Sequence, residues 1–339
     1  MRQIVIFGGT GFIGTHTAQR LLEEPGVEQV ILVDIAPPPT EPYASTLQAA
    51  LTSGKARLIQ HDVRQPIPPD KLPKADLIFN FAAIHREPGH LPREYYETNL
   101  LGTTNICSYA DTVQCPHIVF TSSISPYEVS EASKHEGSLP IPETSYGASK
   151  LVAEQMHTTW QKSAPGRKLL ILRPGVVFGP GEGGNVTRLI RSLVKGYFVY
   201  MGNRETRKAG GYVKELCNVF LFGICHQKKT CEGVTLLNFS VHPTPTLGQY
   251  VDAIRAVAGI ERAPLSIPRK LLLGVSYPID FVASIFGINQ PISPTRIRKL
   301  YRSTNIESRR LQELAYPYQY TLEESFADWK NDKPGDFQP

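Results

Sequence analysis

Short apolar runs recur through the first two thirds of the chain, at 4–7, 29–33, 57–60, 77–81, 117–120 and 169–172. Runs of four to six residues bounded by turn-forming residues read as strands. Helix-length segments separate several of them, notably at 12–22, 94–110 and 146–161. Strands alternating with helices in this way predict an α/β fold with a doubly wound parallel sheet. The clusters APPPTEP (36–42) and QPIPPDKLP (65–73) read as loops on its rim. After FGPGEGG (178–184) the alternation fades and Arg and Lys become frequent. The predicted organisation is a dinucleotide-binding domain over 1–178 and a smaller mixed α/β substrate region over 179–339, interleaved with late elements of the sheet.

Composition narrows the class. With 339 residues, 41% of them hydrophobic and 20% charged, the chain suits a soluble globular enzyme of one large or two closely associated domains. The apolar stretch 271–286 is interrupted by Gly274, Pro278 and Asp280 and falls short of the ~20 residues that span a bilayer. It reads as buried helix and loop, with contact at a membrane surface left open, so no integral membrane segment is expected. No secretion signal is read at the N-terminus. The five cysteines show neither CxxC pairs nor a His-rich zinc pattern, which predicts reduced thiols in a cytoplasm and no metal. A net charge of +5 favours anionic small molecules and is too mild to imply nucleic acid.

Two separated signatures carry the chemistry. GGTGFIG (8–14) follows the first strand and opens a helix, with Gly8, Gly11 and Gly14 spaced GxxGxxG. Glycine permits the tight strand-to-helix turn and lets backbone approach a pyrophosphate seated on the helix N-terminus. Asp34, in LVDI, ends the second strand, where a carboxylate accepts hydrogen bonds from ribose hydroxyls and repels a 2′-phosphate, so NAD is preferred over NADP. Asp62 in HDVR follows the third strand and can meet the adenine edge, while Ala82 and Ala83 in FAAIH let the cofactor pass close to the fourth. The second signature, YGASK (146–150), puts the Tyr146 phenol and the Lys150 ammonium at i,i+4 on one helix face. A nearby ammonium stabilises phenolate and moves tyrosine toward the working pH.

GGTGFIG, HDVR, FAAIH, YYETNLLGTTN, FTSSISPY, YGASK and LRPGVVFGPGEGGN occur in that order. In this the chain resembles the extended short-chain dehydrogenase/reductases, and within them the nucleotide-sugar epimerases and dehydratases, proteins of Rossmann-type fold. The resemblance implies Tyr146 as general acid or base, Lys150 as its electrostatic partner, and Ser123, chosen over Ser122 and Ser125, as hydrogen-bond partner of the reacting hydroxyl. It implies Asn99 as the residue that holds the helix geometry and a water near the lysine. The implied cofactor set is Gly8, Gly11, Phe12, Ile13 and Gly14, then Asp34, Asp62, Val63, Phe81, Ala82 and Ala83. Asn99, Tyr146, Lys150, Arg173 and Pro174 complete it, with Arg173 and Pro174 beside the nicotinamide side of the site.

The implied activity is NAD-dependent 4-epimerisation of a nucleotide-diphosphate sugar through a transient 4-keto sugar, in surface polysaccharide precursor synthesis. A 4-keto-sugar reductase or dehydrogenase uses the same groups and stays open. A 4,6-dehydratase carries an acidic pair where this chain has Ile124 and Ser125, and a nucleotide-sensing protein would be expected to lose the tyrosine. The substrate set by resemblance is Ser125 toward the sugar, with Asn185, Lys208 or the adjacent Arg207, and Arg296 toward the diphosphate. The free amides of the helix opening at Asn185 add donors. Homodimerisation through the helices at 94–110 and 146–161 is also implied.

Overall fold

The computed structural model describes residues 2–68, 72–86, 89–201, 203–267 and 302–339. Seven parallel strands form the main sheet: β1 (Gln3–Phe7), β2 (Gln29–Asp34), β3 (Ala56–Gln60), β4 (Leu77–Asn80), β5 (His117–Thr121), β7 (Lys168–Pro174) and β11 (Val234–Phe239). Their spatial order is β11-β7-β5-β4-β1-β2-β3, so the direction of winding reverses between β1 and β4. Ligands gather outside the carboxyl ends of strands at such a switch point. Register aligns those ends: Phe7 lies opposite Val33 and Asn80, Asn80 opposite Phe120, and Thr121 opposite Leu172. Residues that follow each strand therefore share one rim.

Both faces of the sheet are covered, which is why its strands read as continuous apolar runs. Ile4 and Ile6 point to the layer of α1 (Phe12–Leu22), α2 (Ser45–Ser53) and α6 (Val213–Thr230), where Leu21, Leu47 and Phe220 are buried. Val5 and Phe7 point to α3 (Pro92–Thr112) and α4 (Ser145–Lys162), against Ile106, Tyr109 and Trp160. On the first face α6 approaches closely because residue 223 is glycine: a Cβ there would stand 2.7 Å from a Leu170 methyl.

A third core joins α5 (Asn185–Val194), α7 (Leu247–Ala258) and α9 (Leu322–Asp332) around Phe178, Tyr250, Phe326 and Trp329. Its buried members come from residues 178–337, with Phe12 of α1 and Val177 packed against them, while from the same stretch β11 completes the main sheet and α6 covers it. Three two-stranded parallel pairs decorate this region: β8 (Val176–Phe178) with β10 (Gly210–Tyr212), β9 (Val199–Tyr200) with β12 (Leu265–Ser266), and β6 (Ser130–Lys134) with β13 (Thr304–Ile306). A short helix, α8 (Arg309–Glu313), follows β13. The apolar stretch 271–286 and most of its flanks lie outside the described residues.

Candidate active site

The glycine turn is built by close backbone approach. Gly8 leaves β1 at φ +77°, donates its amide to the Val33 carbonyl at 2.9 Å, and abuts the chain after β4. A Cβ on Gly8 would stand 2.7 Å from the Ala82 amide nitrogen and 2.8 Å from the Phe81 carbonyl carbon. A Cβ on Gly14 would overlap the Gly8 carbonyl oxygen. Gly9, absent from the GxxGxxG reading, is equally constrained, since its Cβ would lie 2.9 Å from the Leu32 Cα. Gly11 caps α1 without a side chain over the first-turn amides, where Phe12, Ile13 and Gly14 begin the helix. Uncapped amides at a helix N-terminus on the switch-point rim suit a dinucleotide diphosphate, so the residues present fit that cofactor.

Beside the turn, Asp34 accepts hydrogen bonds from the Thr10 amide at 3.1 Å and the Ile35 amide at 2.8 Å. The carboxylate thus fastens the end of β2 to the glycine turn. Asp62 is forked by Arg64, Nε donating to Oδ1 at 3.0 Å and Nη2 to Oδ2 at 2.6 Å, and that hydrogen-bonded guanidinium holds its carboxyl below the usual range. Val63 is buried against Gly102 of α3, and its carbonyl accepts from the Asn105 side chain at 2.8 Å. Phe81 packs on Phe220, with ring centroids 5.4 Å apart.

Asn99, buried on α3, joins the FAAIH segment to the YGASK helix. Its Oδ1 accepts from the Ile84 amide at 2.9 Å, while its Nδ2 donates to the Ile84 carbonyl at 3.2 Å and to Ser149 Oγ at 2.9 Å. His85, next in that segment and absent from the sequence-derived site, is held below its ordinary pKa first by burial, and feels the Lys150 charge. Only its place directly after FAAI could have flagged it.

The candidate reactive groups converge where β5 ends. Ser123 Oγ donates to Ser125 Oγ at 3.0 Å and accepts from the Ser125 amide at 3.1 Å. Thr144 caps α4 by accepting the Gly147 amide at 3.1 Å, and Tyr146 occupies the first turn, its ring 6.1 Å from that of Tyr95. Gly147 allows the helix to press on the serine turn, because a Cβ there would overlap the Ser125 carbonyl oxygen. Lys150 is 4% exposed, its ammonium 4.6 Å from the centre of the Phe120 ring. Burial pulls its pKa from 10.5 to about 7, opposed by the charge of Glu154.

The Arg173 guanidinium is engaged within the protein: Nε donates to Glu154 Oε1 at 2.8 Å, Nη2 to Glu154 Oε2 at 2.5 Å, and Nη1 to the Tyr127 hydroxyl at 2.7 Å. Pro174 ends β7, and its carbonyl accepts the Ile124 amide at 3.1 Å, bracing the serine turn from below.

On the substrate side the expected residues are dispersed. Asn185 is exposed at the start of α5 and accepts from Arg188 at 2.6 Å. The helix amides are not all free, since Glu182 takes the Thr187 amide at 3.0 Å. Arg207 donates to the Thr244 carbonyl at 2.6 Å and lines a polar cavity of about 320 Å³ with Arg204, Thr246, Gln249 and Asp252. Lys208 turns elsewhere, donating to the Arg302 carbonyl at 2.9 Å. Arg296 lies outside the described residues. Among the described residues there is no cluster of three His, Cys, Asp or Glu fit for a metal, and no helix long and apolar enough to cross a membrane.

The model of the NAD dependent epimerase/dehydratase family matches residues 4–234. The chain is 25% identical, over 94% of its length and 91% of the relative's, to the N-acetyl-alpha-D-glucosaminyl-diphospho-ditrans,octacis-undecaprenol 4-epimerase of Escherichia coli O157:H7. It is 24% identical to a UDP-glucose 4-epimerase of Lactobacillus helveticus, over 79% of this chain and 85% of that protein. Among solved structures, UDP-glucuronic acid 4-epimerase from Bacillus cereus in complex with NAD superposes with a TM-score of 0.76 at 16% identity, covering 99% of this chain and 100% of the other. The UDP-Glc/GlcNAc 4-epimerase of Campylobacter jejuni gives 0.74 at 18% identity, over 98% and 99%. With the glycine turn, the serine turn and the tyrosine helix on one rim, and the family model spanning well over half its length, the chain belongs to the NAD dependent epimerase/dehydratase family.

Proposed function

We propose that the chain epimerises C4 of a diphosphate-linked hexose or N-acetylhexosamine, a nucleotide sugar in the first instance, with NAD as cofactor. The observation that carries this reading is the convergence of Ser123, Tyr146 and Lys150 at the rim that also holds the Gly8–Gly14 turn. The glycine turn, the α1 amides and Asp34 would hold NAD, which when bound supplies a reversible hydride acceptor. Ser123, oriented by the Ser125 amide, holds the C4 hydroxyl. Tyr146, as phenolate, takes the hydroxyl proton while C4 is oxidised to a ketone, and Lys150 stabilises the phenolate. After the 4-keto sugar turns over in the site, Tyr146 gives the proton back as C4 is reduced from the opposite face. Protons and electrons balance over the cycle, so no net oxidant is consumed. Where elimination of water would need acids, the serine turn offers Ile124 and Ser125.

Asn185, Lys208, Arg207 and Arg296 are the residues proposed for the diphosphate, with Ser125 toward the sugar. The Escherichia coli relative's name carries a sugar–diphosphate on a polyprenol, which supports a role in surface polysaccharide precursors and makes the carrier the point to test. The five free thiols support a reducing compartment, the cytoplasm. Tyr96 and Leu101 on α3 and Val152 on α4 are exposed on the helices proposed for a homodimer.

The deciding experiment is to assay the purified protein for bound NAD(H) by absorbance and mass. It is then incubated without added cofactor with UDP-, GDP-, CDP- and dTDP-hexoses and with a polyprenyl-diphosphate N-acetylhexosamine. Inversion at C4 without net NADH is expected. A strict need for stoichiometric NAD(P)H and a 4-keto substrate would replace this reading with the reductase.

A further inference from the structure

We propose that Glu154 is a positioning residue for this reaction, tying the serine turn to the tyrosine helix and setting its carboxylate one helical turn beyond Lys150. The inference rests on the roles proposed above for Tyr146 and Lys150. Glu154 lies on α4 one turn beyond Lys150 and two beyond Tyr146, 3% exposed. Its carboxylate receives three donors from two strand ends: Ser122 Oγ after β5, and Nε and Nη2 of Arg173 in β7. Ser122 directly precedes Ser123. Behind Arg173 the chain of contacts continues to the Tyr127 hydroxyl, which donates to Asn238 of β11 at 3.1 Å. Three strand ends and the catalytic helix are thus held by one buried carboxylate–guanidinium pair.

Such a pair is a poor way to gain stability, because desolvating both ions offsets most of their attraction. Its placement makes sense through what it orients and through the charge it sets beside Lys150. The groups facing Lys150 are Tyr146, Glu154 and His157 on its own helix, His85 from the segment after β4, and the Phe120 ring from β5, with Arg173 standing behind Glu154. His157 is held to about 4, neutral at neutral pH, and His85 is held below its ordinary value, in both cases first by burial. Among these described groups Glu154 is the carboxylate that supports the ammonium against burial.

Glu154→Gln keeps the size and an acceptor for Ser122 but removes the charge. The alkaline limb of kcat/KM, where Lys150 loses its proton, is expected to move down by about one pH unit, a roughly tenfold loss above the crossing point, with KM for the sugar little changed. Glu154→Asp, which retains the charge, should restore the limb. If the unpaired Arg173 prevents folding, Glu154→Gln/Arg173→Gln replaces the ion pair by an amide pair and, because the more distant guanidinium charge is lost as well, should move the limb down by less than Glu154→Gln alone; an unmoved limb would overturn the proposal. A profile scaled down equally at every pH would assign Glu154 a structural role and overturn the proposal. Titration of [ε-13C]lysine-labelled protein by NMR, with the Lys150 signal assigned through Lys150→Arg, reads the same shift without turnover. Absence of activity on every sugar would then refute the epimerase, whereas an unmoved Lys150 titration would refute the role of Glu154.

Discussion

Gly147 and Ser125 meet backbone to backbone: the glycine Cα sits where any side chain would drive into the serine carbonyl oxygen. This contact sets the distance between the helix bearing Tyr146 and the turn bearing Ser123. Gly147→Ala should push the two apart by a fraction of an ångström to an ångström. Displacements of that size at a reacting centre cost about 100-fold in rate. We expect kcat to fall by about that factor while NAD affinity, proposed to rest on the α1 turn, is retained. Steady-state kinetics beside a cofactor titration checks this, and an unchanged kcat would show that the turn yields.

Gly8→Ala acts on the fold and the cofactor together. The φ of +77° and the 2.7 Å approach to the Ala82 amide leave a Cβ neither the backbone conformation nor the space it needs. Strain at such a position costs about 1–3 kcal/mol, and the clash adds to it. Urea denaturation should show a midpoint lowered accordingly, with NAD binding weakened; a wild-type midpoint would contradict the geometry.

Much of this was legible because covered strands leave a plain mark. The runs at 4–7, 29–33 and 117–120 lie within β1, β2 and β5, and 12–22 coincides with α1. By contrast α2 escaped notice: only Leu47 and Ala50 of its nine residues are buried, too few for a periodic signal. VTLLNF of β11 follows a long helix and lies on the sheet edge, where the regular alternation has already lapsed. Of the candidate site, the close-packed glycine turn and the one-turn spacing of Tyr146 and Lys150 on α4 were readable in the sequence. Glu154 was not, although it continues the same i,i+4 face, because an isolated helical carboxylate reads as solvent-exposed until Arg173 is seen to reach it. Asp62 was placed correctly after β3, yet nothing in HDVR announced that Arg64 would fork it within two residues.

Asp34→Asn tests cofactor choice. The carboxylate holds the Thr10 amide and presents negative charge at the end of β2, where a ribose 2′ substituent would lie. Hydrogen bonds to a charged partner contribute about 1.5–3 kcal/mol, so NAD affinity should fall roughly 10- to 100-fold while discrimination against NADP shrinks. Calorimetric titration of both cofactors would show it, and unaltered discrimination would move the determinant elsewhere.

Tyr146→Phe removes one oxygen and leaves the ring that neighbours Tyr95. Proton transfer by a positioned side chain accounts for about 10²–10⁴ in rate, so turnover should fall at least ~100-fold with cofactor binding and stability near wild type. Full activity in this variant would sink the proposed mechanism.

Lys150→Met separates function from stability. In the folded protein burial brings the lysine pKa from 10.5 to about 7, so between those values the unfolded chain binds the proton that the native one gives up. Wild-type stability therefore rises with pH across that window, by about 1.4 kcal/mol per unit from this group, and below about 7 the cost of the buried ammonium is present in full. Methionine, of similar length and uncharged, removes that cost and still packs on Phe120. The variant should be inactive yet more stable than wild type at pH 6, with the advantage shrinking as pH climbs from 7 toward 10.5. Urea midpoints at pH 6, 8 and 9.5 measure it. A variant less stable at all three would mean that the contacts of Lys150 with Phe120 and the Glu154 charge outweigh its desolvation. An ammonium retained at a loss to the fold is what a site needs when the charge serves the tyrosine rather than the structure.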